Sequence, residues 1–560
     1  MSSQSNFPTI SENLNYHSAT ITNGGQKSNG GGWVSVTYVD HEVPLTGEWY
    51  WEYITDNYVY AFMGIGKLQY QGPHHHNTDF AFVQGGEYRY NGTNQANTSN
   101  IGTGDIIGVY VNNGIIKVYV NNSLDHTYTQ NLSIVGEPVF PAVFGSSNTT
   151  INFGQDSSFL GVKTAQGNSD GNGIGDFYYT PPGNALALCS ANSPTSSDID
   201  PSQTDDDYPG KQFNAITYTG NASTQAISGL GFQPDMVWFQ RRDYTGSYNQ
   251  GIIDSSRGAS LGLYPDVNNA EADFGTSDFT SFDSDGFTLK AGGSANINNN
   301  GSAFVAWCWR CNGGTTVSDS SGSITCTRQT NVSAGFSIVT YTGGNGSWGS
   351  TNTYGHGLSQ APEFIITKER NVVDEWSTFH AHVGNGGGSN AAANSLNIST
   401  NASLYTNQSY KAYAGVMPTS SLVTVEGNTT NSTSSNHVAY IWHSVPGYSK
   451  FGKYIANQDA NGTYVHLGFR PKLLVIRNIG NAGDGWRVYD SAREPSNVMN
   501  LSLSWHNSNA ESTGTSNNID FMSSGFKLKA ANPTVNWGSP YGPYVYMAWA
   551  DISYKFNNIF

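Results

Sequence analysis

With 560 residues, the chain is long enough for roughly three to five domains, each able to bury its own core. Only 12% of residues are charged, yet 33 Tyr, 26 Phe and 13 Trp supply apolar surface, which excludes a disordered chain. A formal net charge of −16, from 25 basic and 41 acidic residues, argues against nucleic-acid partners and anionic membrane surfaces.

Strong helix formers are scarce, and Asn, Ser, Thr and Gly fill the polar positions, so the composition predicts strands and turns. No apolar run approaches a membrane span, and Met1-Ser2-Ser3-Gln4 opens no signal-peptide core, so cytosolic synthesis without membrane insertion is expected. Triplets such as Asn91-Gly92-Thr93 are then chance matches to a glycosylation signal. Four cysteines are too few for a disulfide scaffold of this length. Cys308 and Cys311 match C-x-x-C, but they follow a strand-like run and differ by an odd number, so their thiols should diverge. A redox or zinc pair is the sharper alternative.

In chain order, residues 1–155 hold closely spaced strand signals. These are Gly47–Tyr53, Tyr60–Gly66, a hairpin of Asp105–Val111 and Ile115–Val120 turning at Asn112-Asn113-Gly114, then Phe140–Phe144 and Thr150–Gly154. Trp49 and Trp51 share one strand face, with core filling the favoured reading over sugar stacking. The series G-x-W-Y-W-E, G-I-G, G-D-x-I-G-V-x-V-N-x-G, F-P-A-V-F and I-N-F-G, in this order, resembles a SPRY domain. The resemblance implies a concanavalin A-like sandwich that binds protein or glycan through loops at one end. One loop of this kind holds Tyr70 and His74-His75-His76. Three adjacent histidines cannot all face one ion in an extended chain, so a ligand-contact loop is preferred to a metal site.

Residues 156–211 read as an exposed connector, turn-rich at Asp176–Gly183 and acidic at Ser196–Asp207. Beyond it the chain repeats. Phe213–Gly220 matches Phe336–Gly343, 123 positions on, and Phe451-Gly452-Lys453-Tyr454 is a degraded third start. Each start is followed by a proline-led apolar run: Leu230–Trp238, Leu358–Ile366 and Leu467–Val475. Asp254-Ser255-Ser256-Arg257 pairs with Asp490-Ser491-Ala492-Arg493, while the middle copy reads Phe379-His380-Ala381-His382. Each copy ends in an aromatic strand at Phe304–Trp309, His437–Trp442 or Tyr544–Trp549. Three related β-sandwich-type domains are therefore expected, at 212–315, 335–448 and 449–560, making the whole chain all-β.

This L-G-F-x-P start, D-S-x-R middle and aromatic close resemble a domain of virion proteins of tailed phages, particularly phages of marine bacteria, where it can follow a SPRY-like domain. The resemblance implies a structural or attachment role. Asp254 with Arg257, and Asp490 with Arg493, read as structural ion pairs, with a ligand-binding arginine as the alternative. No G-x-S-x-G, H-E-x-x-H or P-loop occurs, and Gly343-Gly344-Asn345-Gly346 reads as a turn. No catalytic residue, metal ligand or cofactor is assigned.

The expected function is that of a non-enzymatic bacteriophage surface protein, made in the host cytoplasm and exposed on the particle. It would be a capsid decoration or a tail-fibre adhesin, with other virion proteins and host-surface glycans as partners. A free carbohydrate-binding lectin and a polysaccharide depolymerase are the alternatives. The absence of heptads, collagen repeats or a β-helical period favours a compact knob over a shaft.

Overall fold

The computed structural model describes residues 7–16, 19–29, 36–39, 41–44, 46–55, 61–67, 81–84, 87–90, 93–97, 101–131, 139–145, 148–189, 191–192, 208–244, 246, 248–275, 278–291, 297–383, 394–402, 404–405, 412–454, 456, 458, 462–480, 483–537 and 544–551. Nearly all regular structure is antiparallel sheet, so the chain is all-β. It forms two compact units, Met1–Pro194 and Thr195–Ser553.

In the first unit, the alternation of Trp49, Trp51 and Tyr53 along Glu48–Thr55 places all three on one face. That strand is central to one sheet, between Ile106–Asn112 and Thr149–Asn152. The predicted hairpin turns at Asn113 and Gly114, both at positive φ (45° and 81°), as a tight two-residue turn requires. A second sheet is ordered Ile10–Tyr16, Val36–Val39, Val139–Gly145, Ala61–Lys67, Ala81–Gln84, Glu87–Tyr90, Thr93–Asn97. Trp51, Val109 and Val111 of the first sheet pack with Met63, Ile65 and Val143 of the second, closing a sandwich.

The connector expected over 156–211 is corrected by its first part. Residues 156–189 cover the outer face of the Trp51 sheet. Phe177, Ala185, Ala187 and Cys189 bury Tyr50 and Tyr110, and Phe159 buries Ile54 and Ile106. Leu186–Ala187 pairs parallel with Trp49–Tyr50, and carboxylates organise the remainder of this stretch. Asp170 accepts N–H bonds from Asn172, Ile174 and Ala187 at 2.8 Å each. Glu52, reaching out from the central strand, accepts Tyr178 N–H at 2.9 Å and Tyr179 N–H at 2.8 Å.

In the second unit each repeat builds one main sheet from four common strands, in the spatial order start, closing, proline-led, fourth. In the first repeat these are Phe213–Thr219, Ala303–Trp309, Met236–Arg241 and Gly251–Asp254. In the second they are Phe336–Thr342, Asn436–Trp442, Phe364–Glu369 and Ser377–His380. In the third they are Ser449–Tyr454, Tyr544–Ala550, Pro471–Asn478 and Trp486–Asp490. Val317–Asp319 and Cys326–Asn331, from the stretch between the expected first and second domains, extend the second repeat's sheet.

The third start is shifted from its expected alignment. Phe213 and Phe336 pair with Trp309 and Trp442, whereas Ser449 pairs with Trp549 and Phe451 with Met547. A two-residue shift preserves the face of every side chain, so Phe451 still enters the core.

Each main sheet is sided. In the first repeat Val237, Phe239, Ile253 and Cys308 face a small outer sheet through Ile227, Phe287 and Leu289. The third repeat does the same with Leu474, Ile476 and Tyr546 against Val465, Phe526 and Leu528. Gly286 and Gly525 open the equivalent small-sheet strands, where a Cβ would come within 1.8 Å of Ile227 O and 2.0 Å of Val465 O. The inner faces converge on a shared core. Trp309, Trp442 and Trp549 meet edge-to-face at centroid distances of 6.0, 5.4 and 6.0 Å for the 309–442, 309–549 and 442–549 pairs. Each such pair adds about 0.5–1.5 kcal/mol beyond its area burial. Cys308 lies in the outer core and Cys311 in the shared one, so the two thiols are turned apart.

Candidate functional site

The expected ion pairs sit at the ends of equivalent fourth strands. Met236 faces Asp254, Phe364 faces His380, and Leu473 faces Asp490. In the first repeat Arg257 Nε donates to Asp254 Oδ2 at 2.5 Å and Arg257 N–H to Oδ1 at 2.9 Å. In the third, Arg493 makes the same two bonds to Asp490 at 2.6 and 2.9 Å. All four side chains are fully shielded from solvent.

Each pair extends into a cluster that crosses to the next repeat. Arg257 Nη1 meets Glu271 at 2.6 Å, Glu271 also binds Arg370 at 2.8 Å, and Tyr440 OH donates to Asp254 Oδ2 at 2.7 Å. Arg493 Nη1 meets Glu511 at 2.7 Å, Glu511 binds Arg242 at 2.9 Å, and Trp307 Nε1 donates to Asp490 Oδ2 at 3.0 Å. Arg242 and Arg370 are equivalent positions, as are Trp307 and Tyr440, two residues before the closing-strand tryptophan. The backbone repeats the pattern, Glu271 N–H donating to Arg370 O and Glu511 N–H to Arg242 O at 2.9 and 2.8 Å. One cluster thus joins the first repeat to the second, and its twin joins the third to the first.

The seam from the second repeat to the third differs at four of these five positions together. His380 stands for the aspartate, Val383 for the first arginine, Ile479 for the second, and Met547 for the Tyr or Trp donor. Val383, Ile479 and Met547 belong to the shared apolar core. His380 is buried; its Nε2 lies 3.2 Å from Tyr546 O, and its Nδ1 accepts His382 N–H at 3.2 Å. This pattern assigns a neutral ring protonated on Nε2. Burial holds its pKa down at about 3. A second device persists in all three seams. Gln250, Trp376 and Trp486 occupy one equivalent position, and each donates a side-chain N–H to carbonyls of the neighbouring repeat: Ser504 O at 2.8 Å, Tyr264 O at 3.0 Å and Asn397 O at 3.0 Å.

These clusters can hold repeats together; they cannot perform acid–base chemistry on a substrate. Each aspartate is committed to an arginine, two N–H or O–H donors and no solvent. Burial would raise Glu271, but hydrogen bonding to Arg370 and the charge of Arg257 outweigh it and hold the carboxyl below its ordinary range. Sequence spacing finds Asp254, Arg257, Asp490 and Arg493. It misses Glu271, Arg370, Tyr440, Glu511, Arg242 and Trp307, which lie up to 269 positions from their partners. Tyr70, His74, His75 and His76 lie outside the described residues. Among the described residues, no group of three or more His, Cys, Asp or Glu could hold a metal ion. Among the same residues, no helix is long and apolar enough to cross a membrane.

Residues 208–552, more than half of the chain, match the family described as "Domain of unknown function (DUF7483)". The chain belongs to the DUF7483 family. Among solved structures, it is similar to the SPRY domain of human HERC1 at 15% identity and a TM-score of 0.22, covering 24% of this chain and 91% of that one. It is similar to the TRIM65 PSpry domain at 12% identity and a TM-score of 0.21, covering 26% of this chain and 89% of that one. No curated protein matches it. The matched DUF7483 region contains all three repeats and both ionic clusters.

Proposed function

We propose that the protein is a non-enzymatic surface protein of a bacteriophage particle, a capsid decoration or tail-fibre adhesin that attaches weakly and multivalently to glycans. The observation that carries the non-enzymatic part is the closure of the buried charged clusters. Asp254, Arg257, Asp490 and Arg493 have no exposed side-chain surface, and their partners Glu271 and Glu511 are neutralised by two arginines each. A depolymerase needs two carboxylates on either side of a bound sugar, one of them holding a proton. A three-repeat unit with a common core suits a rigid platform that displays loops. The phage assignment is supported by the resemblance of the L-G-F-x-P and D-S-x-R motifs to virion domains.

Mass spectrometry and cryo-microscopy of purified particles test it, with the chain expected on the particle exterior. Particles lacking the protein should attach less well to host cells, and purified protein should release no sugar from host polysaccharide. Its absence from particles, or turnover abolished by one carboxylate substitution, overturns the proposal.

A further inference from the structure

In the first two repeats, the start strand ends in a turn clamped by a fully buried asparagine of the same repeat. Asn298 accepts Asn221 N–H at 3.0 Å and donates to Ser223 O at 2.8 Å. Asn431 accepts Gly344 N–H at 2.9 Å and donates to Asn345 O at 2.6 Å and Asn352 Oδ1 at 3.0 Å. Gly220 and Gly343 open the two turns, and a Cβ on either would lie within 2.3 Å of a backbone oxygen across the clamp. The turn runs over 220–224 in the first repeat but 343–350 in the second, between equivalent strands.

The longer turn carries Trp348. Trp49, Trp51, Trp238, Trp307, Trp309, Trp376, Trp442, Trp486, Trp505 and Trp549 are all buried, whereas Trp348 is 40% exposed. Its ring rests on Gly427, at φ +73°, where a Cβ would come within 2.2 Å of the indole. The turn around it is fixed from several sides: Gly349 N–H donates to Glu426, Gly346 N–H to Thr433 Oγ1 at 3.1 Å, and Ser347 N–H to Asn345 Oδ1 at 2.9 Å. An indole held this way presents its surface without an ordering cost at binding.

Composition around the ring selects the ligand. Residues 343–353 and 427–436 contain only Gly, Asn, Ser, Thr and Trp348. Polyanions need cations to replace their counterions, and these segments contain none. A pyranose offers an apolar C–H face to an aromatic ring and hydroxyls to amides and hydroxyls at its rim. We propose that Trp348 is the stacking platform of a binding site for neutral saccharides, with Asn345, Asn428 and Ser347 at its rim. The site rests on the glycan-attachment reading above and gives that reading a place and a ligand class.

The test uses the full chain on a panel of immobilised neutral oligosaccharides built from glucose, galactose, mannose and N-acetylglucosamine, beside uronic-acid glycans and single-stranded DNA. The wild type should be retained on at least one neutral glycan, with affinity on the order of millimolar to micromolar. Trp348→Ala should weaken retention at least tenfold, with hydrogen exchange of Phe336–Thr342 and Asn436–Trp442 unchanged. Trp348→Phe should retain part of it, and remains informative should the alanine variant fold poorly. Equal retention of wild type and both variants on a neutral glycan would overturn the site and leave the attachment reading standing. Retention on no glycan would remove that reading together with the site. Retention only on acidic glycans or DNA would overturn the neutral-saccharide assignment.

Discussion

Both units bury carboxylates, and Glu52 of the first is stabilised by means opposite to those that hold Glu271 and Glu511 of the second. In the second unit Glu271 and Glu511 are each held between two arginines. In the first unit Glu52 sits on a central strand with no cation among its bonds. It accepts Tyr178 N–H, Tyr179 N–H, Asn152 Nδ2 and Tyr50 OH. Burial pushes Glu52 up to about 7, against the downward pull of those four donors. A guanidinium keeps a buried acid ionised; neutral donors only moderate the penalty of desolvating it. The two regions should therefore answer mutation and pH differently.

The largest effect is expected where charge is most enclosed. Arg493→Ala strips Asp490 of its ion pair inside a dry seam and takes one of two arginines from Glu511. Breaking a buried pair by removing one partner costs about 3–5 kcal/mol. Val383→Ala, at the equivalent place in the apolar seam, removes two methyl groups from the shared core and should cost roughly 2 kcal/mol. Because the chain has two units, a single unfolding midpoint is a poor readout. Urea-dependent hydrogen exchange of peptides from 486–505 and 377–398 gives both values locally. Equal costs at the two seams would mean that the ionic cluster adds nothing over apolar packing.

The next effect is a pH dependence of opposite sign at Glu52 and at Glu271. Glu52 is protonated more in the folded than in the unfolded state between its ordinary 4.5 and about 7. Its contribution is fully present below 4.5 and is lost as pH rises toward 7, with a slope of at most about 1.4 kcal/mol per pH unit. Glu271 is held below its ordinary 4.5, so its contribution is present above that value and lost as pH falls beneath it. Exchange of peptides from Glu48–Thr55, corrected for intrinsic rate, should quicken from pH 5 to 7.5, while peptides from Trp486–Asp490, in the twin ionic cluster, should not. Glu52→Gln should flatten the first trend and lower stability at every pH, because its amide nitrogen would face an N–H donor. A persistent trend in that variant would place the titration elsewhere.

The same contrast explains what could be read from the chain. The repeat was legible because its motifs are local: a proline before an apolar run, an Asp-x-x-Arg, an aromatic closing strand. The third start was misaligned by two residues because Phe451 offers the same face as Ser449, and a period of two cannot distinguish them. The seams were not legible, since Trp307 and Asp490 carry no periodic signal linking them across 183 positions. Within the connector expected over 156–211, the ordered part looks like linker in sequence because Asp170 and Glu52 order it through side-chain bonds to backbone, which leaves turn-like composition and no hydrophobic period. Gly343–Gly346 was legible as a turn; the exposure of Trp348 depends on Gly427, 79 positions away.

The smallest effect sharpens the seam comparison most directly. Tyr440 OH donates to Asp254 at 2.7 Å and accepts from Arg257 at 3.1 Å, so Tyr440→Phe removes two charge-assisted bonds without altering the ring. Hydrogen bonds to charged groups contribute about 1.5–3 kcal/mol, and Arg257 keeps Glu271 and Ile252 O as acceptors, so a loss near the low end is expected. Met547 occupies the equivalent position in the apolar seam, opposite the histidine that replaced the aspartate. Met547→Leu conserves volume and polarity, and should cost under about 1.5 kcal/mol. The joint replacement of acceptor and donor at this seam has a physical reason: an aspartate facing Met547 would be a buried charge without a partner, and a tyrosine facing His380 would lack its acceptor. His380→Asp alone should therefore be more damaging than Met547→Leu, and adding Met547→Tyr should recover part of the loss. If the double variant is no more stable than His380→Asp, the concerted change at this seam has another cause.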